Sequence, residues 1–358
     1  MSNPRTARRL ALAAGTTTLL CGLIAATPKL SAQQPYKVID KWKIGGDGGW
    51  DYLLADPPAH RLYITRGPQV LVLDTATGKQ IGSIGGLHGT HGIALDTAGK
   101  FGYISDGGGN AVVVFDRATL VTVATIPTGG QNPDGIVFEP VTQTVWAFDG
   151  RSKDAAVIDA ATRKVLVNIP LPGKPEFPAV DGKGIVFDNI EDKNEIVQLD
   201  ALGDKSANWP AGNKFAEWPL KDCDGPSGLA FDAAGSRLFS VCGDKHMAVT
   251  DARTGKTLAT PAIGDGPDAA GWDAAHKLAF ASCGEGALSV IDASTPAYAT
   301  IETLPTQRGA RTMAYDSAAD RIYLVTADFG PRPDPTPENP RPRPTVVPGS
   351  FTVIVVGR

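Results

Sequence analysis

The stretch Gly89–Gly130, GTHGIALDTAGKFGYISDGGGNAVVVFDRATLVTVATIPTGG, decides the fold of this chain. It contains four short apolar runs, which end at Asp96, Ser105, Asp116 and Ile126. The runs are rich in β-branched and aromatic residues and are separated by Gly-, Asp- or Asn-containing turns, which predicts β-strands. Four strands in roughly 40 residues are the content of one blade of a β-propeller.

Two series of acidic residues indicate that this unit recurs along the chain. An acidic residue closes the first strand of each unit, at Asp56, Asp96, Glu139, Asp181, Asp232, Asp273 and Asp316. An aspartate closes the third strand, at Asp74, Asp116, Asp159, Asp200, Asp251 and Asp292. The first series advances in steps of 40 to 51 residues. We therefore predict an all-β fold, a seven-bladed β-propeller of four-stranded antiparallel blades.

The first and last units are incomplete in complementary ways. The segment YKVIDKWKI at Tyr36–Ile44 resembles a fourth strand, but no first three strands precede it. The last unit has three candidate strands, Thr312–Tyr315, Ile322–Thr326 and Phe351–Val356, and no fourth. We expect the N-terminal strand to complete the last blade, because a closed ring leaves no exposed sheet edge at the seam.

Residues 1–32 have the composition of an export signal. Three arginines precede the apolar segment Leu10–Ala26, and Leu-Ser-Ala before Gln33 suits a cleavage site. An uncleaved membrane tether is the alternative. After cleavage we expect a periplasmic or secreted protein with one propeller domain over residues 33–358 and no membrane span.

Charge narrows the classes of partner. The whole chain has a net charge of −4, and removing residues 1–32 leaves 30 basic and 38 acidic residues, a net charge of −8. Nucleic-acid binding depends on clustered Lys and Arg, so a nucleic-acid partner is disfavoured. We expect a monomer that binds a small molecule, a peptide or a protein.

The repeat resembles a known family. The motif RLYIT…VLVLDTATGK at Arg61–Lys79, with its counterparts FGYIS and VVVFDRAT, resembles the YVTN-type repeat of the YncE-like propellers. The resemblance covers essentially all of the chain after the export signal and implies an exported seven-bladed propeller. It does not imply one activity, since related propellers serve as binding proteins, lyases, lactonases and dehydrogenase subunits. The fourth unit departs most, with a short turn at Asp181–Gly184 and an insertion at Ala201–Pro219.

The ring geometry predicts where a site would lie. In a propeller, the segments leading into the first strands and the loops between second and third strands surround the channel mouth on one face. Five residues before each first-strand marker stands a polar residue: Asp51, His91, Asp134, Glu176, Ser227, Asp268 or Arg311. These residues predict either a water-lined pore or a ligand site.

Metal binding is a sharper hypothesis for the same ring. His88 and His91 stand in one loop as His-Gly-Thr-His, and with Asp51 and Asp134 they offer ligands to a divalent cation. Arg311 suits an anionic group of a substrate, because guanidinium forms paired bonds to carboxylate or phosphate.

A second tier is expected above this ring, at the ends of the second strands. Its members are Arg66, Asp106, Asp149, Cys242, Cys283 and Thr326. Carboxylates that lie close together raise one another's proton affinity, which is how a general acid is made.

Three cysteines remain after removal of the signal, and an oxidising compartment favours a disulfide. Cys242 and Cys283 occupy equivalent positions of adjacent units, where we expect strands about 10 Å apart, too far for a disulfide. Cys223–Cys242 is therefore the predicted pair. The alternative is a copper or zinc site that includes His246.

Two functions from different classes follow. No serine nucleophile elbow, phosphate loop, dinucleotide fingerprint or haem-attachment motif occurs. The favoured prediction is a non-catalytic binding protein. The alternative is a metal-assisted lyase or lactonase that uses His91 and the carboxylates, with a divalent metal ion as the only cofactor. The Pro-rich segment 330–348 is interpreted as a lid, a docking strand or a solvated loop.

Overall fold

The computed structural model describes residues 1, 34–203, 216–336, 342 and 344–358. The chain divides into Met1–Gln34 and a compact unit Pro35–Arg358, and the fold below is that of the second unit. The predicted export signal, most of the fourth-unit insertion and part of the Pro-rich segment lie outside the described residues.

The described residues contain 26 β-strands and three short 3₁₀ helices. The first half of the strands comprises β1 (Lys37–Lys43), β2 (Leu53–Asp56), β3 (Arg61–Asp74), β4 (Gln80–Leu95), β5 (Phe101–Asp106), β6 (Ala111–Asp116), β7 (Thr122–Pro127), β8 (Pro133–Glu139), β9 (Thr144–Asp149), β10 (Asp154–Asp159), β11 (Lys164–Pro170), β12 (Pro175–Val180) and β13 (Ile185–Ile190). The second half comprises β14 (Glu195–Asp200), β15 (Ala216–Pro219), β16 (Pro226–Asp232), β17 (Arg237–Cys242), β18 (His246–Asp251), β19 (Thr257–Ala259), β20 (Pro267–Asp273), β21 (Leu278–Cys283), β22 (Ala287–Asp292), β23 (Ala299–Pro305), β24 (Met313–Asp316), β25 (Arg321–Thr326) and β26 (Thr352–Gly357). The 3₁₀ helices are Pro57–Ala59, Gly107–Gly109 and Glu191–Lys193.

These strands form a β-propeller of antiparallel sheets, but with six sheets where seven blades were predicted. Four sheets combine consecutive strands in fours, β8 to β11, β12 to β15, β16 to β19 and β20 to β23. A fifth has the order β1-β26-β25-β24, and the sixth contains β2 to β7. The predicted count of seven separate blades was wrong because the strands of the first two units share this six-stranded sheet.

The length of β3 and β4 explains the shared sheet. β3 pairs with the first half of β4 from Gln69 to Leu73, and the second half of β4 pairs with β5. Gly67 pairs with Thr90 across a register shift, and this pair joins the two halves. Backbone hydrogen bonds therefore continue where the sequence predicts a boundary between units.

The sheet that contains β1 joins the two ends of the described compact unit. β1 pairs antiparallel with β26, from Lys37 opposite Gly357 to Lys43 opposite Thr352, with one register shift after Val38. β26 continues to β25, and β25 to β24.

The core lies between neighbouring sheets and between the halves of the six-stranded sheet. The third residue of each unit's second strand is a buried aromatic: Tyr63, Tyr103, Trp146, Phe187, Phe239, Phe280 or Tyr323. Tyr103 lies 6.1 Å from Phe138, and Phe239 lies 5.0 Å from Trp272, measured between ring centroids. Such rings bury large apolar areas, so each sheet is stabilised against the next.

The acidic markers stabilise turns, as the sequence suggests. Asp74 Oδ1 accepts a bond from the Thr77 backbone N–H at 2.8 Å, and Asp116 Oδ1 does the same with Thr119. Asp96 accepts bonds from two backbone N–H groups that follow it. Capping bonds of this kind explain why aspartate recurs where strands end.

The direction of the first strands separates two faces of the propeller. β20 begins beside Asp268 and ends at Asp273, so these two aspartates lie at opposite ends of one strand. Among the residues that the structure describes, no helix has the length and apolar content needed to cross a bilayer.

Candidate ligand-binding site

All seven polar residues of the predicted ring line one cavity of about 430 Å³. Lys174 and Glu191 complete its charged lining, so five carboxylates face one histidine, one lysine and one arginine. We call this space the carboxylate cavity. Its residues are Asp51, Tyr52, His91, Asp134, Lys174, Glu176, Glu191, Gly225, Ser227, Gly243, Pro267, Asp268 and Arg311.

Bonds between neighbouring units fix the segments that carry these residues. Side chains on second strands donate to backbone carbonyls of the next unit's ring residue: Ser105 Oγ to Asp134 at 2.5 Å, Asn189 Nδ2 to Ser227 at 2.8 Å, and Ser282 Oγ to Arg311. Thr312 Oγ1 donates to the Asp51 carbonyl at 2.9 Å. Side chains of neighbouring units therefore hold the backbone at these ring positions in place.

His91 lies between two aspartates. Its Nδ1–H donates to Asp51 Oδ2 at 2.7 Å, and Asp134 Oδ1 lies 3.7 Å from the same nitrogen. Burial opposes the charged imidazole, but the Asp51 hydrogen bond and the Asp134 charge raise the pKa of His91 to about 9. At neutral pH His91 is therefore an imidazolium held by two carboxylates.

Lys174 bridges two glutamates at the edge of the cavity. Its Nζ lies 2.5 Å from Glu176 Oε1 and 2.5 Å from Glu191 Oε2. Burial opposes its charge, but these contacts raise the pKa of Lys174 above its usual range. Burial of Glu176, which outweighs the contact with Lys174, raises the pKa of that carboxyl to about 8.

Asp268 and Arg311 form the third charged contact. Arg311 Nε lies 3.2 Å from Asp268 Oδ2, and 45% of the Arg311 side chain is exposed. Burial raises the pKa of Asp268 to about 7 although Arg311 acts in the opposite direction. Burial also raises the pKa of Asp134. The cavity therefore contains more carboxyl groups than basic groups, and burial favours the protonated form of several of these carboxyls.

Four residues near this site were missed by sequence reasoning. Lys174 and Glu191 are separated by 17 residues and meet only because one precedes β12 and the other follows β13. Tyr52 packs against Phe177 at 4.5 Å between ring centroids.

Asp188 is the fourth, and an aspartate inside the apolar run IVFDNI was the available signal. Its side chain is fully buried, and neither oxygen has a well-formed hydrogen bond within the described residues. Burial, reinforced by Glu176 and Asp134, raises the pKa of Asp188 well above its usual range.

His88 does not join His91, which corrects the predicted set of four metal ligands. Its Nδ1 lies 3.0 Å from Asp106 Oδ2, and 70% of its side chain is exposed. The group that the structure brings together is Asp51, His91 and Asp134, whose ligand atoms all lie within 4.8 Å of one another.

The second-tier residues Arg66 and Asp149, like Asp106, are buried but do not line the carboxylate cavity. Arg66 donates to the Asp47 carbonyl at 2.7 Å and lies 3.7 Å over the Phe351 ring. Asp149 accepts a bond from Thr128 Oγ1 at 3.0 Å, and burial raises its pKa to about 7. These side chains contact loops rather than the ligand space.

Cys223 and Cys242 form a disulfide, with Cα atoms 5.2 Å apart. A cysteine in a disulfide offers no thiolate to a metal ion. The alternative prediction of a copper or zinc site that includes His246 is therefore wrong for Cys242. His246 instead lies 3.4 Å from Asp244. Cys283 is a buried free thiol, and burial raises its pKa to about 11.

The fold is shared with solved structures of low sequence identity. A structure described as Kuenenia stuttgartiensis hydrazine synthase aligns with a TM-score of 0.64 and 15% identity, covering 77% of this chain and 92% of that chain. A structure of U3-55K aligns with a TM-score of 0.70 and 9% identity, covering 89% of this chain and 98% of that chain. No family model and no curated protein matches the sequence. The likenesses show the β-propeller fold alone, and membership in the YncE-like family stays a prediction.

Proposed function

We propose that this chain is an exported, monomeric propeller of the YVTN type that binds a small ligand through a positively charged group, such as an ammonium, in the carboxylate cavity. One observation carries the proposal: seven residues from separate repeat units line one cavity in which five carboxylates outnumber three basic groups. A volume of about 430 Å³ lies within the range of small-molecule sites.

The protonation of the cavity supports a cationic ligand. Burial raises the pKa of Asp268 to about 7 and that of Glu176 to about 8, so both carboxyls hold protons for part of the time at neutral pH. An ammonium group from a ligand would replace those protons and stabilise the ionised carboxylates. The Cys223–Cys242 disulfide supports an exported location, since such bonds persist in oxidising compartments.

Calorimetric titration with cadaverine tests the charge preference, and glutarate is the anion of matched length. We expect cadaverine to saturate one site and to release protons at pH 7, whereas glutarate should not saturate. Asp134→Asn should weaken cadaverine binding at least tenfold. Asp222→Asn is the matched control, because Asp222 is an exposed aspartate outside the cavity. Equal binding of both probes, or no effect of Asp134→Asn, would overturn the proposal.

A metal-assisted lyase or lactonase is the second candidate, favoured by the Asp51, His91 and Asp134 group. Two carboxylates and an imidazole suit a divalent cation. The proton on His91 Nδ1 competes with metal there, since its pKa is about 9. Metal analysis separates the candidates: a stoichiometric ion that is lost in His91→Ala favours the enzyme, and metal-free protein whose stability is unchanged by chelator favours the binding protein.

A further inference from the structure

A second concave surface meets the carboxylate cavity at Arg311. It has a volume of about 460 Å³, and its side chains are largely apolar or cationic. We call it the arginine groove. The residues that matter here are Trp50, Arg308, Arg311, Phe329, Pro344 and Val346.

Two aromatic rings form one wall of the arginine groove. Trp50 lies 6.2 Å from Phe329 and 5.2 Å from Phe351, measured between centroids, and Trp50 and Phe329 are both partly exposed. Gly309 allows this arrangement, because a Cβ there would lie 2.6 Å from the Phe329 ring. The wall therefore offers an accessible apolar surface of the size that an aromatic or large aliphatic side chain covers.

The groove is cationic where the cavity is anionic. Arg308 lies 5.9 Å from the Phe329 centroid and enters no ion pair with the described residues. Arg311 contacts Asp268 through Nε, and nearly half of its side chain is exposed. Since guanidinium presents five donors, Arg311 can pair with a second carboxylate while it keeps the contact with Asp268.

The boundary between the two spaces has the charge pattern of an amino acid. Asp268 and Arg311 place opposite charges 3.2 Å apart. In an α-amino acid, the ammonium and the carboxylate are attached to one carbon, so the two charges are similarly close. A peptide lacks a carboxylate beside its ammonium and would therefore bring Arg311 no second carboxylate partner.

We propose, on the basis of the function above, that the ligand is an α-amino acid with a large apolar side chain. Its ammonium lies in the carboxylate cavity between Asp268 and the other carboxylates. Its carboxylate pairs with Arg311, and its side chain covers Trp50 and Phe329 in the arginine groove.

Four probes separate these contacts in calorimetric titrations of the full protein: L-phenylalanine, phenethylamine, 3-phenylpropionate and L-alanine. Phenethylamine lacks the carboxylate, 3-phenylpropionate lacks the ammonium, and L-alanine lacks the ring. We expect L-phenylalanine to bind at least tenfold more tightly than each of the other three. Loss of the preference over phenethylamine or over L-alanine would overturn the inference.

Arg311→Gln should lower the affinity for L-phenylalanine to that for phenethylamine and leave phenethylamine binding within threefold. Arg253→Gln is the matched control, since Arg253 also pairs with an aspartate, Asp251, at 2.9 Å but outside both spaces. Unchanged L-phenylalanine binding in Arg311→Gln would also contradict the inference. If cadaverine still binds while L-phenylalanine is no better than phenethylamine, the amino-acid assignment fails and the cationic site stands. If cadaverine does not bind, the proposed function itself fails.

Discussion

Two clusters with the same residue types lie on opposite faces of the propeller. One contains Asp51, His91 and Asp134, and the other contains Asp273, His276 and Asp320, each with its ligand atoms within 4.8 Å. In the second cluster, an arginine side chain of the protein, Arg358, contacts the carboxylates. An Arg358 terminal nitrogen lies 2.9 Å from Asp320 and 3.3 Å from Asp273, and the guanidinium lies 4.7 Å over the Tyr36 ring.

The difference between the clusters lies in neutralisation rather than composition. In the Asp273 cluster, Arg358 contacts both aspartates and Asp273 also contacts His276, so each aspartate has a partner within the protein. In the carboxylate cavity, five carboxylates face three basic groups. A paired cluster stabilises the fold, whereas an unbalanced one favours an external cation. A histidine beside two aspartates is therefore not by itself evidence for a ligand site.

The largest expected effect comes from removing the cation of the balanced cluster. Arg358→Met should lower the free energy of unfolding by about 3 kcal/mol, because it leaves Asp273 buried without its cationic partner. Arg311→Met should cost less than about 1 kcal/mol, since the Arg311 side chain is 45% exposed and its ion pair is screened. Urea unfolding at pH 7 measures both. Equal losses would show that the two clusters do not differ in kind.

The sequence was sufficient to find the ring of the carboxylate cavity. Acidic residues that cap turns recur with each unit. Counting back from them therefore reaches equivalent positions, however the strands are distributed among the sheets. That is why all seven ring residues meet in one cavity although the number of separate sheets was predicted wrongly. The shared sheet escaped prediction because Gly67 and the glycines before Thr90 look like turn residues, whereas Gly67 and Thr90 lie opposite each other in the pairing of β3 with β4.

Side-chain partners were beyond the reach of the sequence. His88 and His91 are three residues apart, yet Gly89, with φ of +154°, lies between them, and Asp106 holds His88 away from His91. Likewise nothing local predicts that Lys174 bridges Glu176 and Glu191. Contacts of this kind depend on loops from different strands, and spacing along the chain does not encode them.

A second prediction compares the two aspartates at the ends of β20. Asp268→Asn should raise the free energy of unfolding by about 1–2 kcal/mol at pH 8, since it removes a buried charge from an overcharged cavity. Asp273→Asn should lower it, because Asp273 accepts bonds from the backbone N–H groups of Ala275 and His276 and pairs with Arg358.

The raised pKa of Asp268 determines whether its contribution to stability rises or falls with pH. Its pKa rises from about 4 unfolded to about 7 folded, so its contribution to stability is full below pH 4 and is lost as the pH rises through 7. The free energy of unfolding of Asp268→Asn, relative to that of the unsubstituted protein, should therefore increase between pH 4 and 8. Above pH 8 this difference should stay constant. Denaturant unfolding at pH 5 and pH 8 measures this, and a gain that shrinks with rising pH would contradict it.

The smallest expected effect comes from comparing substitutions of the two histidines in one loop, His88 and His91. The comparison tests which of them belongs to the carboxylate cavity. His88→Ala should cost about 0.5 kcal/mol of stability, because Asp106 keeps its bond from the His88 backbone N–H at 2.7 Å and the imidazole is mostly exposed. It should leave cadaverine binding unchanged. His91→Ala removes a positive charge from between Asp51 and Asp134, so cadaverine should bind about threefold more tightly at pH 7. Calorimetric titration of both variants with cadaverine tests this. Equal changes in affinity would show that the charge of His88 acts on the cavity. His88 would then not differ from His91, which partly neutralises the site.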